Sequence, residues 1–431
     1  MAWEKRFAGS RRKGIPGMND SKIIPTEKTT KVRNSLLPGG SLRTEIKLFI
    51  FITLFCFHSG SAFCSFPTIG KAPQEVMDQF FPEGRDVKVG VWVQDLEIPW
   101  SLVFLRDGRA LVSERPGRIR LIKDGRLQGS PYSVLEVTHV GEGGLLGLTR
   151  HPEFPLKPYI YAMHTYGREG DLYNRVIRLK DLGDKGIFDK VIMDHIPGGR
   201  LHDGGRIAFG PDGLLYIATG ETFQSGLAQD LGSRGGKILR TTPEGGIPPD
   251  NPFAGSPVYS YGHRNPQGLA WHPETAELFE SEHGPSGEFL LFANDEINVI
   301  IKGGNYGWPE AVGAPGLKPY IDPVITWKKT TPPSGIAFYT GNLLPHLKND
   351  LFVATLRSQA LIRIKVKKEK DRYRVTDIER WFSSDYGVGK YGRLRDVVEG
   401  PEGALYFLTN NRDGRGKPVP GDDKIYRIFL K

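Results

Sequence analysis

The sequence predicts an all-β fold, a six-bladed β-propeller of four-stranded blades over residues 88–431. Three observations carry this. A strand–turn–strand unit recurs six times at a period of about 45 to 70 residues, which leaves room for roughly four short strands per repeat and points to a radial array of sheets. The 431 residues are rich in turn formers, with 54 Gly and 32 Pro. No long amphipathic helix is evident after residue 90, and MDQFF, from Met77, is a weak helical candidate.

The repeats are IPWSLVFLRDGRALVSER (98–115), EGGLLGLTRHPEFPLKPYIYAMHT (142–165), HDGGRIAFGPDGLLYIATGE (202–221), RNPQGLAWHPETAELFESEHG (264–284), PPSGIAFYTGNLLPHLKNDLFVATL (332–356) and RLRDVVEGPEGALYFLTNN (393–411). Each holds an apolar strand, a turn and a second apolar strand. In RDG and PDG the glycine accepts positive φ, and in PDG the proline presets φ. A pair of β-sandwiches would explain the strands but not their recurrence.

In a propeller the innermost strand of each blade lines a central channel, and the residues just before it lie at one mouth. The repeats therefore gather Trp100, Glu142, His202, Arg264 with Asn265, Ser334, and Arg393 with Arg395 around one axis. Few but convergent polar groups are the mark of a site. His202 is the candidate base of this ring, because imidazole titrates near neutrality. Arg264, Arg393 and Arg395, with Arg357 of FVATLRSQALIRI, form a cationic group suited to a multiply anionic ligand. No side chain here accepts a hydride, so redox chemistry needs a cofactor. A P-loop, a GxGxxG strand–helix turn and a CxxC or HxxxH zinc spacing are all missing. His151 and His272, each before Pro, are expected to be structural, and GGNYGWP (303–309) is expected to be a tight turn with aromatic packing.

The formal charge of +9 is concentrated in the first 48 residues, which hold eleven Lys/Arg and four Asp/Glu. The remainder is nearly balanced, so no nucleic-acid partner is expected. The basic segment runs into LFIFITLFCF (48–57) and then SGSA (59–62), the layout of a secretory signal peptide, with a signal anchor as the alternative. Residues 1–63 are thus expected to be a leader, 64–87 a lead-in and 88–431 the propeller. The protein is expected to be periplasmic or secreted, with membrane contact only through an uncleaved leader. Of the two cysteines, Cys56 lies in the apolar run and Cys64 at its cleavage edge, so no internal disulfide is expected.

The strings GEGGLLGLTRHPEF, HDGGRIAFGPDGLLYIATGE, GGKILR, IPPDNPF, YGHRNPQGLAWHP, SEHGP, DEINVIIKGGNYGWP and RLRDV, in this order, resemble the soluble quinoprotein aldose and glucose (sorbosone-type) dehydrogenases that use pyrroloquinoline quinone, PQQ. The resemblance spans roughly residues 88–430. It implies that His202 takes the proton from the sugar C1 hydroxyl, oriented by Glu221, while hydride passes to the quinone. It implies that Glu142, Arg264, Asn265, Arg357, Arg393 and Arg395 surround the cofactor. It also implies a calcium ion held partly by the carbonyls of Gly284 and Pro285, oxygen ligands that suit this ion. The expected partners are an aldose and an electron acceptor that the sequence does not identify.

The chain departs from this family at three places. Glu142 stands where the family commonly has Gln, and Glu221 where it has Asp. EFLLFAN (288–294) is inserted between SEHGP and DEIN, beside the expected calcium loop, and is expected to pack over a blade, with capping of the pocket or contact with a partner as the alternatives. Two other functions fit the same architecture: a calcium-dependent lactonase, and a non-catalytic binding propeller that has lost the cofactor.

Overall fold

The computed structural model describes residues 66–70 and 76–431. The expected leader, with Cys56 and Cys64, lies outside the described residues. Six antiparallel sheets follow one another along the chain. Their innermost strands are Pro99–Phe104, Leu145–Arg150, Gly204–Phe209, Pro266–Trp271, Pro333–Phe338 and Leu394–Glu399. Each innermost strand lies against the next, and the sixth returns to the first, closing the ring. These strands are the first strands of the six repeats, in register with the sequence reading.

The second strands explain why the pattern was legible. Ala110–Glu114, Leu215–Thr219, Leu278–Glu282, Leu351–Thr355 and Leu405–Thr409 are buried at every position. A strand covered on both faces needs a continuous apolar run, not an alternation. Six hydrophobic clusters fill the spaces between neighbouring blades. Leu111 and Ile119 of the first blade meet Leu145 and Ile177 of the second. Val112 of the first blade meets Leu408 and Ile425 of the sixth. The core is therefore a ring of six wedges around the channel.

The sixth blade is completed from the other end of the propeller sequence: Val87–Val93 pairs antiparallel with Ile425–Leu430. The lead-in is also docked. Asp78–Phe81 runs parallel to Arg372–Trp381 on the outside of the fifth blade, and Thr68–Ile69 runs parallel to Ala311–Val312. MDQFF is thus largely strand, a correction of the helical expectation. Phe80 stacks on Tyr386 in an edge-on contact, and Asp78 pairs with the buried Arg380. Among the described residues the helical segments are short 3-10 turns, and no helix is long and apolar enough to cross a membrane.

One recurrent feature positions the site. Every innermost strand carries a register shift near its first residues, at Pro99/Ser101, Gly204/Ile207, Pro266/Gly268, Pro333/Ile336 and Leu394/Asp396, and opposite Ala162/His164 in the second blade. A bulge adds a residue to one strand and re-aims its side chains. Here it happens at the same end of all six strands.

Candidate active site

The bulged ends build a polar layer across the channel. Arg206 donates to the Gln267 carbonyl at 3.0 Å and to Ser101 Oγ at 3.3 Å, and its guanidinium lies 4.4 Å from the Trp100 ring centre. Above it Arg395 donates to Gln267 Oε1 at 3.0 Å and to Ser334 Oγ at 3.3 Å. Trp100, Glu142, Asp203, Gly204, Gln267, His283, Leu356, Arg395 and Arg415 line a cavity of about 20 Å³. That is room for little more than one water, so an organic group can rest only at the mouth above it.

His202 stands at this mouth with φ of +58°. Its carbonyl is held against the end of the neighbouring strand. A Cβ on Gly220 would come within 1.9 Å of that oxygen, which is why the strand ends in Gly-Glu. The next residue, Glu221, is 1% exposed, and its Oε1 lies 2.6 Å from His202 Nδ1. An ionised carboxylate only accepts hydrogen bonds, so in the neutral ring the proton sits on Nδ1 and the Nε2 lone pair is free. No described residue bonds Nε2. The next blade repeats the pair at the same spacing of 19 residues: His263 Nδ1 lies 2.9 Å from Glu282 Oε2. There, however, Nε2 is taken by Ser260 Oγ at 2.8 Å and Tyr306 stacks on the ring. One His–Glu pair is closed on both ring nitrogens; the other leaves Nε2 open at the mouth.

Of the four arginines expected to group, Arg264, Arg393 and Arg395 lie at the mouth and Arg357 does not, and the three do not form an uncompensated cationic group. Arg393 donates Nε and Nη2 to Asp413 at 2.9 and 2.7 Å. Arg264, 2% exposed, donates to Glu288 Oε1 at 2.9 Å and to the His283 carbonyl at 3.1 Å. Arg115 is satisfied by the carbonyls of Gly141 and Gly143. Arg357 is exposed and, among the described residues, its side chain has no partner; it is not drawn into the group. Arg395, like Arg115, keeps a buried positive charge without a carboxylate partner. Burial pushes it down to about 9, and its Nε has no partner. Asn265 is bound within the wall: its Oδ1 accepts from Gly204 N at 3.0 Å and from Gln267 Nε2 at 2.9 Å.

Glu142 has its cation. Arg415 donates to Oε1 at 2.7 Å, and the His202 amide donates to Oε2 at 3.0 Å. Burial alone would raise this carboxyl, but the Arg415 charge and hydrogen bond outweigh it and hold it down to about 2. The carboxylate thus fixes the backbone that carries the base. His283 is the opposite case: burial, reinforced by Arg264 and Arg395, pushes it down to about 3, so it is neutral, with Nε2 unpartnered.

Asp203 yields a direct test. Burial raises it to about 7, against the hydrogen bonds from Asn174 and Gly199, and Oδ2 has no partner. A carboxyl raised above its unfolded value stabilises the fold fully only below the unfolded pKa of about 4, and that contribution is lost as pH rises to about 7. The cost at higher pH is at most about 4 kcal/mol. Asp203→Asn is therefore expected to be more stable than the parent at pH 8 and to show a flatter urea-unfolding stability between pH 4 and 7. An unchanged pH dependence would show that Asp203 does not titrate in this range.

The inserted segment both packs on a blade and enters the site, where the sequence favours packing over a blade and holds capping of the pocket as an alternative. Phe289 and Leu291 pack against Trp308, Val312 and Ala228, as a packing insertion should. Glu288 turns inward to Arg264. The Arg264 charge and the Ser286 amide outweigh burial and hold its carboxyl below the usual range. Beside it, Gly284 and Pro285 share a second cavity with Glu282, Asn294 and Glu296. A Cβ on Gly284 would meet the Ala293 carbonyl oxygen at 2.2 Å, so this position requires glycine. The donors there are carbonyl, amide and carboxylate oxygens, the set that a hard cation such as calcium takes. His151 and His272 each accept the amide N–H two residues on, a structural turn repeated in two blades.

Residues 96–419 match the Glucose / Sorbosone dehydrogenase family, and the chain belongs to it. The chain is 36% identical over 355 residues to an aldose sugar dehydrogenase of Escherichia coli K12, covering 76% of this chain and 91% of that protein. Its structure is similar to the PQQ-bound aldose sugar dehydrogenase of Streptomyces coelicolor, at 39% identity and a TM-score of 0.68, covering 80% of this chain and 98% of that one. It is similar also to the apo form of the soluble aldose sugar dehydrogenase of Escherichia coli, at 31% identity and a TM-score of 0.69, covering 80% and 100%.

Proposed function

We propose that this chain is an exported PQQ-dependent aldose dehydrogenase that oxidises the C1 hydroxyl of a sugar to the lactone. The observation that carries the reading is the His202–Glu221 pair, 2.6 Å apart, with Nε2 open to the mouth. The family membership and the named relatives support it, and the basic leader with its apolar run supports export. The orphaned donors Arg395 Nε and His283 Nε2 fit an anionic, hydrogen-bonding ligand such as a tricarboxylate quinone. Arg264, Asn265, Arg393 and Arg395 would hold it, and Gly284 and Pro285 would hold calcium beside it; Arg357, exposed and outside the group, is not among them. When bound, the quinone supplies a two-electron acceptor and calcium a Lewis acid.

The chain's own residues do the rest. His202 Nε2 takes the hydroxyl proton, and the ring becomes an imidazolium. Glu221 fixes its tautomer and offsets the new charge. Glu142 anchors the His202 amide, so the base does not drift as it protonates. The test is reconstitution of the chain with PQQ and calcium, followed by dye reduction with a panel of aldoses. Saturable turnover that needs both additions is expected, and calcium chelation should abolish it. A folded protein that binds no PQQ would reject the reading.

A further inference from the structure

Neither the base, the channel nor the calcium cavity accounts for a cleft of about 210 Å³ beside His202, lined by Glu221, Phe223, Ser225, Glu288, Phe289 and Trp308. Its far wall is a small, well-built hairpin. Ser286 bridges Phe292, Gly287 N donates to the Leu291 carbonyl at 2.9 Å, and Leu291 N donates to the Glu288 carbonyl at 2.9 Å. The hairpin is stapled to the blade by Phe289, whose ring meets Trp308 edge-on at 6.0 Å. Its near wall is Phe223, with its ring centre 5.2 Å from that of His202.

We infer that this hairpin is a specificity wall: Phe289 and Phe223 frame a subsite for a single sugar ring, and Glu288 and Glu221 accept its hydroxyls. This rests on the sugar dehydrogenase reading. A pyranose has apolar C–H faces and a rim of hydroxyls, so it is recognised by aromatic faces together with carboxylate acceptors. The cleft supplies both. Phe223 is largely exposed beside the base, an apolar side chain that the fold does not bury. Glu221 Oε2 is buried without a partner, and Glu288, though paired to Arg264, retains lone pairs for a hydroxyl. At about 210 Å³ the cleft is some ten times the volume of the channel cavity, enough to admit a sugar ring. Thr222, Phe223, Phe289 and Leu290 all have φ between +52° and +65°. Left-handed backbone at bulky residues is retained where the surroundings demand it, and it clusters at ligand clamps. Here it occurs on both sides of one cleft.

The test uses the chain loaded with PQQ and calcium, with glucose, galactose, xylose and maltose as probes. Phe289→Ala and Phe223→Ala are each expected to raise KM by about three- to tenfold, with a smaller change in kcat and unchanged PQQ affinity in a spectroscopic titration. The loss should be greatest for the monosaccharides, so discrimination against maltose falls. Leu290→Ala, at the 85% exposed tip of the same hairpin, should behave as the parent. An active parent with KM unchanged in Phe289→Ala would overturn the subsite. So would KM and PQQ affinity weakening together, which would make the hairpin a cofactor wall. If the parent binds PQQ but neither binds nor oxidises any probe, the sugar dehydrogenase reading fails and the subsite falls with it.

Discussion

His202→Ala is expected to lower turnover of the reconstituted protein by about 10²- to 10⁴-fold, the usual contribution of a positioned general base. The protein should still fold. Glu221 loses its donor and its carboxylate is left buried, which costs about 1–3 kcal/mol in urea unfolding. Two further measurements separate a chemical role from a structural one. Added imidazole should restore part of the rate in His202→Ala and none in the parent. Glu221→Gln should lower kcat more than it changes KM, and Glu221→Asp, which keeps the charge at shorter reach, should recover part of that loss. Unchanged turnover in His202→Ala removes this residue from the chemistry. The buried His263–Glu282 pair of the next blade is the internal comparison, since its Nε2 is already committed to Ser260.

Glu288→Gln should have two opposing effects. Arg264 is buried and Glu288 nearly so, with side chains 2% and 16% exposed. Breaking such a pair leaves an uncompensated charge, so the cofactor-free protein should lose about 3 kcal/mol of stability. The same change frees the Arg264 guanidinium for an anionic ligand. PQQ should therefore bind more tightly and stabilise the variant more than it stabilises the parent. Thermal unfolding with and without PQQ reads both effects. Weaker PQQ binding would show instead that Glu288 holds Arg264 in the orientation the cofactor needs.

The propeller was legible because its physics repeats. Each blade needs a doubly covered second strand, and that need writes an apolar run into the chain six times. The mouth was legible for the same reason, since the phase of the repeat put Trp100, Glu142, His202, Arg264, Ser334 and Arg395 at one end. Partners that lie outside the repeat were not legible. Asp413 and Arg415 come from the loop after the last repeat; Asp413 neutralises Arg393 within the sixth blade, and Arg415 neutralises Glu142 of the second. Glu288 comes from an insertion whose composition reads as apolar packing, and the one charged residue in it is the one that turns to Arg264. The bulges were also hidden. A one-residue shift in register leaves the hydrophobic pattern intact while turning Gln267 and Arg395 into the channel. Asp78–Phe81 misled because a short, partly exposed strand bearing Gln and Asp lacks the alternation of a half-buried one.

The joining of Val87–Val93 to Ile425–Leu430 has a consequence for timing. Bringing distant segments together carries a loop-closure cost that must be met before the contacts return anything. The ring therefore completes only when its final strand finds its partner. The bridge from Arg415 to Glu142 spans 273 residues and in turn steadies the backbone of His202. The setting of the mouth is thus coupled to closure of the whole circle, and a chain halted one blade short would carry every mouth residue of the first five repeats without the Arg415 contact that steadies Glu142 and the His202 amide.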